Sequence, residues 1–273
     1  MAHIEIRQIR ILAAKEFRDR LRNRWVIAVA IIFTLFALAI SYFGSAQQGS
    51  VGPGSIEITI ASLVSLVIYL IPLIALMLGY DAVVGERERG SLDLLLSLPI
   101  TRLELLLGKF SGLSAAFAVA TLAGFGFAGL LLLWHFDMTA LYHYAGFMLS
   151  AMLLGMVFLS LAVMVSVISR DRARASGAAI AVWFLFVLVF DLALLGILVL
   201  SGGEFGEKLL PLLLLLNPAD IFRLLNIFNM DDIRTLYGLA TIFPDNLSNP
   251  WLLGSMMLGW IITPLLIALW RFK

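Results

Sequence analysis

No cysteine occurs in the 273 residues, which excludes disulfide frameworks, thiolate zinc sites and cysteine nucleophiles together. Charge is scarce too: Asp, Glu, Lys and Arg supply 14% of the chain, against about 25% in an ordinary soluble domain. Neither sign dominates, with 19 Lys and Arg against 18 Asp and Glu, so there is no basic excess of the kind that marks a nucleic-acid partner. Also missing are a Gly-x-x-x-x-Gly-Lys-Ser/Thr phosphate cradle and a His-Glu-x-x-His metal helix. What is abundant is apolar: 62% of the residues, with a mean hydropathy of +1.01. A soluble globule this size could not cover its surface with the polar side chains that remain. The sequence therefore reads as an all-α integral membrane protein, whose unit is a spanning helix of about 20 apolar residues.

Six stretches are long enough: Trp25 to Phe43, Ile56 to Tyr80, Gly108 to Trp134, Tyr144 to Ser169, Ser176 to Leu200 and Trp251 to Trp270. They far exceed the ~10-residue alternating strands of a membrane β-barrel. Seven Lys or Arg precede the first span, four lie in Asp81 to Lys109, three in Arg170 to Arg174 and two after the last span. Sixteen of the 19 thus share one side, and the positive-inside rule places both termini in the cytoplasm. A basic stretch of that length is no cleaved signal peptide. The whole chain, 1–273, is read as one transmembrane domain, with segments 1–24, 81–109 and 201–250 outside the spans.

In 1–24, Ile6, Ile9, Ala13, Phe17 and Leu21 fall on one helical face and Arg7, Lys15, Arg18 and Arg22 on the other. This predicts a helix lying in the membrane interface. Arg10 and Arg20 interrupt the apolar face, so a solvated basic arm is the alternative. In 201–250, Leu209 to Leu216 is too short to cross. Asn217-Pro218-Ala219-Asp220 then supplies a cap, a proline in the first turn and an early acid. A second start at Asp231 or Asp232 and a cap at Asn249-Pro250 follow. The pattern predicts short re-entrant helices, tolerated at membrane depth only where buried in protein or lining a wet cavity.

The segment after the second span holds the densest signal: Glu86, Arg87, Glu88, Arg89, Gly90, Ser91, Asp93, Leu95, Leu96, Pro99, Arg102, then Gly108-Lys109. Gly90 or Ser91 can start a short helix with Asp93 near its positive end. Leu92, Leu95, Leu96 and Pro99 would give it an apolar side. Such a helix suits docking into a groove on a soluble partner; a plain interfacial turn is the other reading of the same residues.

The order Glu-x-x-x-Gly-Ser-x-Asp-x-Leu-Leu-x-x-Pro-Ile-Thr-Arg, followed by Gly-Lys, resembles the coupling-helix signature of type 2 (ABC-2) ABC transporter permeases. The interfacial helix, six spans and broken helices before the last span extend that resemblance over essentially the whole chain. Within the family, Arg22-Asn-Arg-Trp25, Tyr80-Asp-Ala-Val-Val-Gly-Glu86 and Leu216-Asn-Pro-Ala-Asp220 are similar to the membrane subunit of the complex that matures the copper sites of nitrous oxide reductase. The resemblance implies a non-catalytic homodimer in the bacterial inner membrane with two cytoplasmic ABC ATPase subunits. ATP and Mg would be bound on those subunits, with no cofactor on this chain. Glu86 to Pro99 would act as a force-transmitting helix, and Asn217, Asp220, Asp231 and Asp232 as candidates for docking a periplasmic maturation partner. Export or import of a sulfur species, metal or lipid is the alternative within the family.

Met148, Met152, Met156 and Met164 share one stripe of the fourth span, with His135, Tyr142 and His143 at its mouth. Thioether and imidazole suit copper, but methionine is also a common gap filler, so no metal site is assigned. Asp191 is the one acid well inside a span, and a lone carboxylate there calls for a partner or a wet cavity. The spans themselves offer no base near it, which leaves a protonated acid bonded across a dimer or a polar gate. Gly124, Gly126 and Gly129 read as close-contact positions between helices, and Pro72 and Pro264 as kinks. An intramembrane hydrolase is disfavoured because Ser114 has no histidine at its depth. A secondary transporter is disfavoured because the broken helices lie near one surface rather than at the midplane.

Overall fold

The computed structural model describes residues 5–22, 24–43, 56–132, 138–200, 211–227 and 249–272. It is a bundle of helices with no strand among the described residues: α1 (Ile6–Arg22), α2 (Trp25–Phe43), α3 (Ile56–Gly79), α4 (Val84–Glu88), α5 (Ser91–Ser97), α6 (Arg102–Leu132) and α7 (Met138–Ile168), then α8 (Arg172–Phe184), α9 (Phe190–Leu200), α10 (Pro218–Ile227) and α11 (Pro250–Arg271). The six helices long and apolar enough to cross a membrane fall where the apolar runs predict, with α8 and α9 forming the fifth span around a π turn at Leu185–Val189. The chain is thus an all-α, multi-pass membrane protein.

Two boundaries differ from expectation for local reasons. The third span begins at Arg102 rather than Gly108 because Thr101 and Glu104 form a capping box. The Thr101 backbone and hydroxyl donate to Glu104 Oε2 at 2.7 and 2.8 Å, and Glu104 N–H donates back to Thr101 Oγ1 at 3.2 Å. Second, the expected single helix from Glu86 to Pro99 is two helices, since Gly90 adopts φ +70°, a left-handed turn that glycine enters without steric cost. The helices containing Pro72 and Pro264 run on through both prolines.

α7 is the hub, packed against α3, α6 and α11, while α6 also carries α2 and α1. Aromatic rings lace the core. Phe33 of α2 stacks on Phe125 of α6 at 4.8 Å, Phe125 meets Phe147 of α7 edge-on at 5.3 Å, and Phe147 reaches Phe222 of α10 at 6.3 Å. Such ring pairs each add about 0.5–1.5 kcal/mol beyond area burial. Gly155 lies flat against Phe117, where a Cβ would collide with the ring. Gly124 lets Phe33 and Ala30 approach, and Gly129 receives Tyr144. Gly126, expected to do the same, has open space around it.

α1 packs along α6 as the amphipathic pattern predicts. Gly108 and Gly112 make that possible: a Cβ at Gly108 would sit 2.5 Å from Leu12 Cβ, and one at Gly112 2.6 Å from the Ala13 carbonyl. Glu5 N–H donates to Glu104 Oε1, pinning the start of α1 to the start of α6. Arg24, with φ 54°, turns the chain from α1 into α2.

Candidate functional site: a rooted coupling segment

α4 and α5 sit at the arginine-rich end of the bundle, and their charged residues divide into two groups. Glu86 and Arg87, expected on an outward-facing helix, turn inward. Glu86 is 7% exposed and accepts from Lys109 Nζ at 2.8 Å. Lys109 also reaches Glu16 at 3.4 Å, Glu16 accepts from Arg20 at 3.2 Å, and Arg20 reaches Asp81 at 3.4 Å. The junction therefore ties α1, the α3–α4 turn, α4 and α6 together. Burial alone would raise the Glu16 carboxyl, but Lys109 and Arg20 outweigh it and hold the group below the usual carboxylate range. Arg20, a blemish on an apolar face in the sequence, is the member that carries the junction to Asp81.

Arg87 and Glu88 each satisfy a helix end. The Arg87 guanidinium donates to Ser169 O at 2.7 Å and Val167 O at 3.3 Å, at the carbonyl end of α7, where a cation also complements the helix dipole. Glu88 Oε1 accepts the Arg172 N–H at 2.7 Å, at the amino end of α8. Ser166 Oγ accepts the backbone N–H groups of both Val83 and Val84, at 2.9 and 3.0 Å. Ser91 Oγ donates to Glu86 O at 3.2 Å, bridging α5 back to α4.

The outward face is α5. Leu92 is buried, and Leu95 and Leu96 pack against the bundle, which corrects the expectation that Leu95 and Leu96 form the apolar knob. Leu94 and Leu98, 71% and 50% exposed, project instead, beside exposed Asp93, Ser97 and Pro99. A seven-residue helix with leucine at four positions leaves its exposed side to be decided by which leucines the bundle captures. Arg102 lies exposed on the first turn of α6.

At the other end of the bundle, Asp191 has a partner that the spans did not supply. Arg223, on re-entrant α10, lies 3.5 Å from Asp191 and bonds Asp220 at 2.7 Å. Asn217 caps α10 through Ala219 N–H, and its amide donates to Asp220 and to the Phe186 carbonyl in the π turn. Asn217 and Asp220 are almost fully buried. Both side chains turn into the bundle, which corrects their reading as docking residues; Asp231 and Asp232 lie outside the described residues. Arg223 was signalled in the sequence only by its i, i+3 spacing from Asp220.

Met148, Met156 and Met164 pack against the apolar core and Met152 is buried. His143 lines a cavity of about 330 Å³ with Ser150, Asn226 and Pro250; His135 lies outside the described residues. Among the described residues no three His, Asp or Glu side chains cluster as a metal site would require.

Residues 10–273 match the family model described as ABC-2 family transporter protein. The chain is similar to a probable ABC transporter permease protein NosY of Stutzerimonas stutzeri, 46% identical over 270 residues that cover 97% of this chain and 98% of the relative. It is also 46% identical over 254 residues to a probable ABC transporter permease protein NosY of Pseudomonas aeruginosa, covering 91% and 92% of the two chains. The rooted segment between the second and third spans is thus part of a membrane subunit that belongs to the ABC-2 family of ABC transporter permeases.

Proposed function

We propose that the chain works as a homodimer in the inner membrane, both termini cytoplasmic, and converts ATP hydrolysis on two separate ABC ATPase subunits into mechanical work. The observation that carries this reading is the contrast inside the coupling segment. Leu94 and Leu98 project as an apolar knob, while the residues beneath them are bonded to four other helices. Glu86 holds α6 through Lys109, Arg87 holds the end of α7, Glu88 holds the start of α8, and the Lys109–Glu16 pair brings in α1. A push on the knob would therefore reach the bundle at several points at once. ATP and Mg belong to the partner subunits, and no cofactor is assigned to this chain.

The name NosY carried by relatives of this length and identity supports a role in the copper-site maturation of nitrous oxide reductase, with a periplasmic maturation protein as recipient of the work. Packing of the methionine stripe favours transmission of force over passage of copper through the spans. The test is the double substitution Leu94→Glu with Leu98→Glu. It should leave insertion and folding intact, abolish co-purification with the ATPase and stop maturation. Wild-type co-purification and maturation in that variant would refute the assignment.

A further inference from the structure

We propose that the fifth span is the rod that carries displacement from the coupling segment to the re-entrant helix α10, with Glu88 positioning one end and Asn217 and Arg223 the other. This rests on the reading that an ATPase drives the coupling segment. The fifth span is only 6% buried within the bundle, whereas the fourth is 78% buried. In lipid, apolar side chains gain little from packing on each other, and directional bonds decide what holds a helix. The bonds of the fifth span are few and concentrated toward its two ends.

At the arginine-rich end, Glu88 accepts the Arg172 N–H at 2.7 Å and pairs with Arg172 Nε at 3.5 Å. Gly85 makes room for that guanidinium, since a Cβ there would lie 2.7 Å from Arg172 Nη2. Trp183 Nε1 donates to Tyr69 O at 3.0 Å part-way along. Then comes the π turn, where Phe190 N–H bonds to Leu185 O, five residues back. The widened turn opens the Phe186 carbonyl to a side-chain donor, and the buried Asn217 amide fills it at 2.8 Å. One turn on, Asp191 meets Arg223. Widened turns of this kind recur at functional sites; here it gives α10 a grip on the span. A helix held at its ends and free along its flanks can slide without rearranging the core, which the deeply packed fourth span cannot do.

The test uses one cysteine, Leu216→Cys, next to Asn217 in this cysteine-free chain, labelled with an environment-sensitive bimane. The complex is reconstituted with its ATPase in lipid vesicles, and emission is compared between the nucleotide-free and the ATP–vanadate-trapped states. Two variants cut the far end of the rod without stranding a charge. Asn217→Ser keeps a capping oxygen for Ala219 but is too short to reach Phe186. Asp191→Leu leaves Arg223 paired with Asp220. In each, ATP hydrolysis should persist while the trapping-dependent emission shift falls at least about fivefold, the lower end of ordinary coupling. Either variant retaining the full shift would overturn the rod alone. A parent that shows no shift on trapping would overturn both the rod and the ATPase-driven reading beneath it.

Discussion

The fourth and fifth spans are alike in length and apolar character, yet one is buried over 78% of its window and the other over 6%. The fourth is the hub, with rings and close glycine contacts along its length; the fifth is held by a handful of bonds toward its ends. The difference shows that composition says whether a helix can enter lipid, while steric fit and polar anchors say whether it stays fixed to its neighbours. A bundle with one deeply packed span and one tethered span has a built-in asymmetry of stiffness.

Breaking the rigid side of that comparison should have the largest effect. Lys109→Met strands the Glu86 and Glu16 carboxylates in the junction, and loss of one partner of a buried pair costs about 3–5 kcal/mol. Yield and thermal unfolding in detergent should both fall sharply, whereas Asp93→Ala on the exposed face should leave them unchanged. Next, Gly155→Ala forces a methyl against Phe117 and should destabilise by about 1–3 kcal/mol, the usual cost of overpacking. Gly196→Ala on the fifth span meets open space and should shift stability by no more than about 0.5 kcal/mol. Equal costs at the two glycines would erase the distinction between the spans.

Much of this fold is legible in the sequence. Six long apolar runs, the α10 cap at Asn217-Pro218 and the grouping of arginines need no tertiary information. The Thr101-x-x-Glu104 box is legible in principle and would move the start of the third span. The ionic junction is not, because its partners are 61 and 93 residues apart for Arg20–Asp81 and Lys109–Glu16. The sequence marks each charge but not the fold that brings them together. The inward turn of Glu86 is hidden for the same reason, and the Asp191 partner because it arrives on a re-entrant helix rather than a span.

Smaller effects sharpen the comparison further. The triple substitution of Met148, Met152 and Met156 by leucine keeps volume and apolarity, a change that typically costs under about 1.5 kcal/mol. Maturation should persist in that variant; its loss, with assembly and ATP hydrolysis intact, would indicate a copper path. The smallest effect concerns pH. Because the Glu16 carboxyl is held below its usual range, its contribution to stability is complete above the unfolded pKa and is lost as pH falls through the lowered native one. Hydrogen exchange in α1 should therefore be flat from about pH 5 to 8 and should rise only under stronger acid. Lys109→Met should move that rise to higher pH.

The most direct test of the central claim is a photo-crosslinking residue placed at Leu94, the most exposed apolar side chain of the coupling segment, in membranes that contain the ATPase subunit. A crosslink to the ATPase is expected from Leu94 and none from Leu195 on the fifth span. No adduct from Leu94 in an assembled, ATP-hydrolysing complex would contradict the coupling role.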